Sequence, residues 1–206
     1  FRRVLFRSYL AACTSMDAMT HAIEAYVSNA QSPISDLNAI EAISIISENV
    51  IDAINNLNDV KLTSKLMLGS LYAGMAFSNA SLGAVHAMSH SLGGMLDLPH
   101  GECNAILLEH LVKYNFNYSP DRFRKISSVM GLNLSGKSNE FVLESLIEKI
   151  GLLRSGVDIG NNFKSMNIDR SKIPILAENA LKDACMVTNP IILSKEDVEA
   201  IYEEVI

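Results

Sequence analysis

Apolar residues recur at helical spacing along almost the whole chain. Between Met16 and Ala30 they fall at Met16, Met19, Ile23, Tyr26 and Val27, and between Ser35 and Leu57 at Leu37, Ile40, Ile43, Ile45, Ile46, Val50 and Ile54. Steps of three and four place such side chains on one face of a helix, so both stretches predict amphipathic helices. Pro33 separates them, and Ser35 with Asp36 is expected to cap the second. A third helix over Leu62 to Asn79 mixes Gly69, Ala73, Gly74 and Ala76 with larger apolar residues, which suits close packing at the centre of a bundle. A fourth is predicted from Leu82 to Leu92, ending near Gly93 and Gly94, then a loop through Asp97, Pro99 and Gly101, then an apolar helix from Ala105 to Tyr114. Further helices are expected at 120–130, 140–153, 172–187 and 195–204, the last two opened by Ser171 and Ser194. The stretch from Gly151 to Ser171, with Gly156, Gly160, Asn161 and Asn162, reads as a connecting loop. No segment alternates apolar and polar residues with a period of two, and no internal repeat occurs. The predicted class is all-α, a helical bundle, with Met16, Met19, Met67, Met75, Met88 and Met95 in its core.

The first eight residues stand apart. Phe1-Arg2-Arg3-Val4-Leu5-Phe6-Arg7-Ser8 carries three arginines and resembles the translation of a sequencing adapter. Residues 1–8 are therefore expected to be non-native, with residues 9–206 forming one helical domain cut from a longer protein.

Composition narrows the function classes. The 206 residues are 49% hydrophobic and 19% charged, below the roughly 25% charged of an average soluble domain, so disorder is excluded. A net charge of −6 with no basic run argues against nucleic acid as a partner. No apolar run approaches the roughly 18 residues of a membrane span. Cys13, Cys103 and Cys185 lie far apart with no CxxC unit, which fits reduced thiols in a cytoplasm. The low charged fraction fits contact with further protein surface, from another domain or from homo-oligomers.

Four of the five histidines fall into two clusters: Asp17-Ala18-Met19-Thr20-His21, and His86-Ala87-Met88-Ser89-His90 followed by Leu98-Pro99-His100-Gly101. Positions i and i+4 stand one above the other on a helix, so Asp17 and His21 share a face, as do His86 and His90. A loop after Gly93-Gly94 could bring His100 back as a third imidazole. One carboxylate and three imidazoles without a thiolate suit Fe²⁺, Zn²⁺ or another borderline ion and do not choose among them. The plain alternatives are an exposed i, i+4 pair for Asp17 and His21 and a hydrogen-bonded core pair for His86 and His90. The spacing of His86 and His90 is that of HExxH zinc peptidases, but Ala87 stands where the general-base glutamate is required. His110 has no clustered partner and reads as structural, and Cys103 and Cys185 as small buried hydrophobes.

At these residues the chain resembles the iron-containing (group III) alcohol dehydrogenases. Two stretches carry the likeness: Ala12 to Tyr26, with Asp17-Ala18-Met19-Thr20-His21-Ala22-Ile23-Glu24-Ala25-Tyr26, and Gly74 to Leu108, with Gly83-Ala84-Val85-His86-Ala87-Met88-Ser89-His90, Leu92-Gly93-Gly94 and Leu98-Pro99-His100-Gly101. It extends weakly through Lys113-Tyr114-Asn115 and Ala184-Cys185 to Asn189-Pro190. Ser15 replaces the usual glycine before Met-Asp, and Glu109 stands where proline is common. The resemblance implies that Asp17, His21, His86 and His100 hold the metal, that His90 stands beside the nicotinamide and substrate as a proton relay, and that Phe77 and Cys185 line the substrate pocket. It implies the C-terminal half of a two-domain, dehydroquinate-synthase-like fold. The Rossmann-like half that would bind NAD or NADP is missing, since no GxGxxG appears here. The expected substrate is a small alcohol or its aldehyde, in an enzyme that is a homo-oligomer when full length. A stand-alone helical metalloprotein, either an HD-type hydrolase or a non-catalytic metal-binding module, is the alternative; HD enzymes carry an adjacent His-Asp pair, and no histidine here precedes aspartate.

Overall fold

A computed structural model describes residues 2–206, with side chains from Arg7 onward. Among the described residues there is no strand, and the order is α1 (Arg2–Val27), α2 (Pro33–Asn55), α3 (Val60–Ala80), α4 (Ala84–Leu96), α5 (His100–Asn115), α6 (Pro120–Val129), α7 (Asn139–Gly156), α8 (Ile173–Leu181) and α9 (Lys195–Val205). No helix among the described residues is long and apolar enough to cross a membrane. Of the adapter-like octapeptide, Phe1 lies outside the described residues, and the backbone from Arg2 continues into α1.

Helices α1, α2 and α3 pack on one another, and α5 lies against α1, α4 and α7, while α8 sits between α4 and α9. The close approach foreseen for α3 occurs at Gly69, where a Cβ would come within 2.7 Å of the Ile46 side chain on α2. A buried hydrogen bond from the Tyr202 hydroxyl to the Met88 carbonyl, 2.8 Å, ties α9 to α4. The Ser91 hydroxyl donates to the Leu176 carbonyl at 2.8 Å and ties α8 to the same helix. Helix α4 is thus held from both sides along its length.

Several boundaries differ from the sequence-based expectation. Ser32, not Ser35, caps α2: its side chain accepts from the Ser35 backbone, and the Ser35 side chain returns a bond to Ser32. Gly93 and Gly94 do not end α4, because Asp97 at φ 55° takes the left-handed position that closes the helix, four residues later. Helix α7 runs to Gly156, so the predicted loop is shorter and holds single helical turns at Lys164–Met166 and Arg170–Lys172. The helix expected over 172–187 is broken at Lys182 into α8 and a 3₁₀ segment, Ala184–Thr188, capped by Asp183. Ser194 caps α9 as foreseen, in a reciprocal pair with Asp197. Met16, Met19 and Met88 are buried, whereas Met67 and Met75 point outward with Leu68 and Leu71 along one side of α3. Helical spacing identifies a face, and nothing in it says whether that face meets the same chain.

Candidate metal centre

Helix α1 carries Asp17, His21 and Glu24 at i, i+4 and i+7, on one face. Opposite it, α4 starts at Gly83, where a Cβ would lie 2.8 Å from Glu24 Oε1 and 2.9 Å from Asn189 Oδ1, so a side chain there would wedge α4 away from α1. The first N–H groups of α4 lack helical partners and find them in these same side chains. Ala84 N–H donates to Asn189 Oδ1 at 3.1 Å, and Val85 N–H to Glu24 Oε1 at 2.7 Å. Asn189 is held by a reciprocal amide pair with Asn115. One turn into α4, His86 is buried and its Nδ1 donates to Glu24 Oε2 at 2.6 Å.

The bend after Asp97 brings the chain back to α5, whose first residue is His100 rather than a loop residue. The Ser89 hydroxyl lies 3.2 Å from His100 Nδ1 and 3.2 Å from its carbonyl oxygen; donating to the carbonyl, it accepts from Nδ1–H and leaves Nε2 as an acceptor. The result is a convergence. Asp17 Oδ1 lies 3.4 Å from His86 Nε2 and 3.5 Å from His100 Nε2, and His21 Nδ1 lies 3.9 Å from Asp17 Oδ2. Ligand atoms of Asp17, His21 and His86 all fall within 4.8 Å of one another. The His21 ring is stacked between His86 and Phe77, both at 4.5 Å between centroids.

Asn104, one turn after His100 on α5, shows what such a convergence requires. Its Nδ2 lies 2.6 Å from Asp17 Oδ1, 3.0 Å from His86 Nε2 and 3.0 Å from His100 Nε2. An amide nitrogen has two hydrogens and cannot serve three lone pairs at once. Its Oδ1 is buried without a partner, a costly arrangement for a polar atom. Three acceptors aimed at one point are the donor set of a divalent cation, and neutral imidazoles with one carboxylate fit Fe²⁺ or Zn²⁺.

Protonation of Asp17, His21 and His100 suits the same occupant. Burial tends to raise the Asp17 carboxyl, but the hydrogen bond from His86 and the neighbouring imidazoles outweigh it and hold it below the usual carboxylate range. Burial pulls His21 down to about 4, Asp17 opposing, and lowers His100 as well, so both rings are neutral near pH 7 with lone pairs to give. Burial also works against charge on His86, yet the hydrogen bonds to Asp17 and Glu24 lift it to about 9, so near pH 7 this ring carries a second proton, on Nε2, which an incoming ion has to displace.

His90 stands at the edge of the cluster, its ring stacked 5.3 Å from that of His100. Its Nδ1 donates to Asp183 Oδ2 at 2.8 Å, while Asp183 Oδ1 accepts from Cys185 N–H at 2.8 Å. It opens onto a cleft of about 420 Å³ whose walls include Met95, Asn179 and Asp183. All seven residues marked in the sequence, among them Phe77 against His21 and Cys185 beside Asp183, lie around this one region. His110 lies outside it, paired with Glu204 at 2.8 Å.

Glu24, Asn104 and Asp183 were not marked. Glu24 extends the Asp17–His21 face by one step of three, and Asn104 follows His100 by four, so helical spacing could have found both. Asp183 carries no sequence signal beyond its place as a cap.

The chain is similar to proteins of known kind over nearly its full length. It is 38% identical to the 1,3-propanediol dehydrogenase of Klebsiella pneumoniae over 195 residues, covering 95% of this chain and 50% of that protein. It is 39% identical to alcohol dehydrogenase 4 of Saccharomyces cerevisiae, again over 95% of this chain and 50% of the relative. Among solved structures, an alcohol dehydrogenase from Oenococcus oeni superposes with a TM-score of 0.93 at 38% identity, over 97% of this chain and 52% of that one. The chain therefore spans about half the length of the relatives it matches. Residues 11–206 match the C-terminal model of the Fe-containing alcohol dehydrogenase family, and the chain belongs to that family.

Proposed function

We propose that this chain is the helical, metal-binding half of an NAD(P)-dependent alcohol dehydrogenase that interconverts a small alcohol and its aldehyde or ketone. The carrying observation is the convergence of Asp17, His86 and His100 on one point, with His21 beside it, in a member of the Fe-containing family. Asp17, His21, His86 and His100 would hold the ion, Fe²⁺ or a divalent ion of like preference. When bound, such an ion acts as a Lewis acid toward the oxygen of an alcohol or carbonyl.

The remaining residues supply position and protons. Asp17 contributes one negative charge, so a divalent ion with three neutral imidazoles leaves the site near +1, which favours a developing oxyanion. Asp183 fixes the His90 proton on Nδ1, so Nε2 is the end of that ring able to accept or deliver the substrate proton. The Phe77 ring covers one face of His21 and keeps water from it. With Cys185, it lines the substrate side of the pocket. NAD or NADP is held mainly by protein outside this chain.

Full-length protein tests the assignment. His86→Ala or His100→Ala removes bound metal and NAD(P)H-linked activity together, whereas His90→Ala keeps the metal and slows turnover. Full activity in a metal-free His86→Ala variant would refute the reading. Residues 1–8 are read as non-native, joined to a longer native chain. An upstream reading frame encoding a βαβ domain with a glycine-rich turn supports this, and a start codon directly before Phe1 ends it. The unpaired Cys13, Cys103 and Cys185 support reading the protein as cytoplasmic, and its net charge of −6 supports reading it as without a nucleic-acid partner. The outward stripe of Met67, Leu68, Leu71 and Met75 supports a homo-oligomer, which light scattering of the full-length protein measures.

A further inference from the structure

We propose that Glu24 is the positioning residue of the metal centre: its buried carboxylate takes the Nδ1 proton of His86 and thereby presents the Nε2 lone pair to the ion. The inference rests on the metal-centre reading above and deepens it. Glu24 is 3% exposed, facing the start of α4, and among the described residues its one ion-pair partner is His86, itself 1% exposed. No lysine or arginine among the described residues pairs with it. A carboxylate so placed is costly to keep unless each oxygen is satisfied. Both oxygens are used, Oε1 by Val85 N–H at 2.7 Å and Oε2 by His86 Nδ1 at 2.6 Å, and the absent side chain of Gly83 makes room for them.

The geometry decides which ring nitrogen is free. A neutral imidazole carries one proton, and an acceptor at Nδ1 keeps it there. The other nitrogen then points an unshared pair at Asp17 Oδ1, 3.4 Å away, and at the point shared with His100. Carboxylate–histidine–metal arrangements of this type fix both the tautomer and the ring plane, and losing the outer carboxylate costs about 10- to 100-fold in metal affinity.

A plainer role would be that Glu24 only satisfies the first turn of α4. Glu24→Gln separates the two. The glutamine Oε1 still accepts from Val85 N–H, so the helix start is kept, but its NH₂ faces His86 Nδ1. That nitrogen must then accept, and the ring proton moves to Nε2, onto the pair the ion needs.

The test measures Zn²⁺ and Fe²⁺ affinity of the full-length protein by chelator competition, with helix content and melting of the metal-free forms alongside. Glu24→Gln is expected to lose about 10- to 100-fold in affinity for both ions while the metal-free melting temperature stays close to that of the parent. Unchanged affinity in a folded Glu24→Gln variant overturns the proposal while leaving the metal centre intact. His86→Ala is the control: metal retained there overturns the metal-centre reading and this inference with it. Should Glu24→Gln fail to fold, the unaltered zinc-loaded protein decides through the ¹⁵N-coupled imidazole protons. A slowly exchanging Nδ1 proton on His86 is expected, and a proton on Nε2 or one in fast exchange with water overturns the inference.

Discussion

Gly101 meets Cys13 backbone to backbone: a Cβ on Gly101 would fall 2.7 Å from the Cys13 carbonyl carbon. The contact joins α5 to α1 one residue after His100 and four before Asp17, so the separation of those two proposed ligands is set by the lack of a side chain. Gly101→Ala has to push the helices apart, since carbonyl backbone cannot swing aside as a flexible side chain does. Overpacking of this kind costs roughly 1–3 kcal/mol. The expected result is a lower melting temperature and weaker metal binding together, read by thermal unfolding and chelator competition. A Gly101→Ala protein with parental affinity would show that the α1–α5 spacing does not control the site.

Asp183 is expected to govern turnover without touching the ion. Its Oδ1 is anchored on Cys185 N–H and its Oδ2 on His90 Nδ1, so the ring of the proposed relay histidine is held by a carboxylate itself fixed by backbone. Asp183→Asn keeps the shape and offers the ring either an acceptor or a donor, so the tautomer is no longer imposed. In the full-length protein kcat should fall by up to about a hundredfold, the scale of a general acid–base contribution, with metal content unchanged. Loss of metal in that variant would instead assign Asp183 and His90 to ion binding.

The sequence made some of this architecture legible and hid the rest for physical reasons. The Asp17–His21 and His86–His90 pairs are local, and the i, i+4 rule places each pair on one face without knowledge of the fold. The placement of His100 at the start of α5 was not readable, because it depends on Asp97 adopting a left-handed backbone that glycine more commonly fills. Gly93 and Gly94, the expected stop, lie inside α4, which Asp97 closes instead. Met67 and Met75 were expected inside for the same reason that misleads any apolar stripe: periodicity reports a face and is silent about what it meets. Asn104 and Glu24 had the spacing but not the residue type that draws notice; the crowding around Asn104 Nδ2 and the bond from His86 Nδ1 to Glu24 show their place.

Glu109, which departs from the proline common at its position in the family resemblance, has a partner. Arg154 on α7 donates through Nε to Glu109 Oε1 at 2.7 Å and through Nη1 to the Ile159 carbonyl at 3.0 Å, and is itself 7% exposed. Removing the carboxylate leaves a guanidinium in the interior with its charge uncompensated, which breaks a buried pair at a cost of roughly 3–5 kcal/mol at the upper end. Glu109 is partly open to solvent, so the cost should fall below that range, at about 2 kcal/mol. Urea unfolding of Glu109→Ala against the parent measures it, and Glu109→Gln, which keeps an acceptor, should lose less. Metal affinity should not change, because neither side chain reaches the cluster; a matched loss of metal would tie α7 to the site.

The three cysteines are unpaired and should be poor nucleophiles in the folded protein. Burial pushes the Cys13 thiol up to about 11 against a hydrogen bond with Tyr9, and pushes Cys103 up to about 12. Cys185 is raised to about 12 by burial and then by the hydrogen bond and charge of Asp183. Thiolate is the reactive form, so a thiol with a pKa of 12 is ionised to about one part in ten thousand at pH 8, where an unperturbed cysteine is ionised to roughly a quarter. Iodoacetamide at pH 8 should therefore label the native chain slowly. Cys185 should be first, because it alone is half-buried, while Cys13 and Cys103 are closed off from solvent. Raising the pH toward 10 should speed Cys185 roughly tenfold per unit, since each unit multiplies the thiolate fraction by about ten while the pKa stays above the pH. Unfolding in urea should expose all three to the rate of a free thiol. Peptide mapping by mass spectrometry reads the order, and prompt stoichiometric labelling of Cys103 in the folded protein would mean that the helix carrying His100 and Asn104 opens far more readily than its packing against α1 and α4 implies.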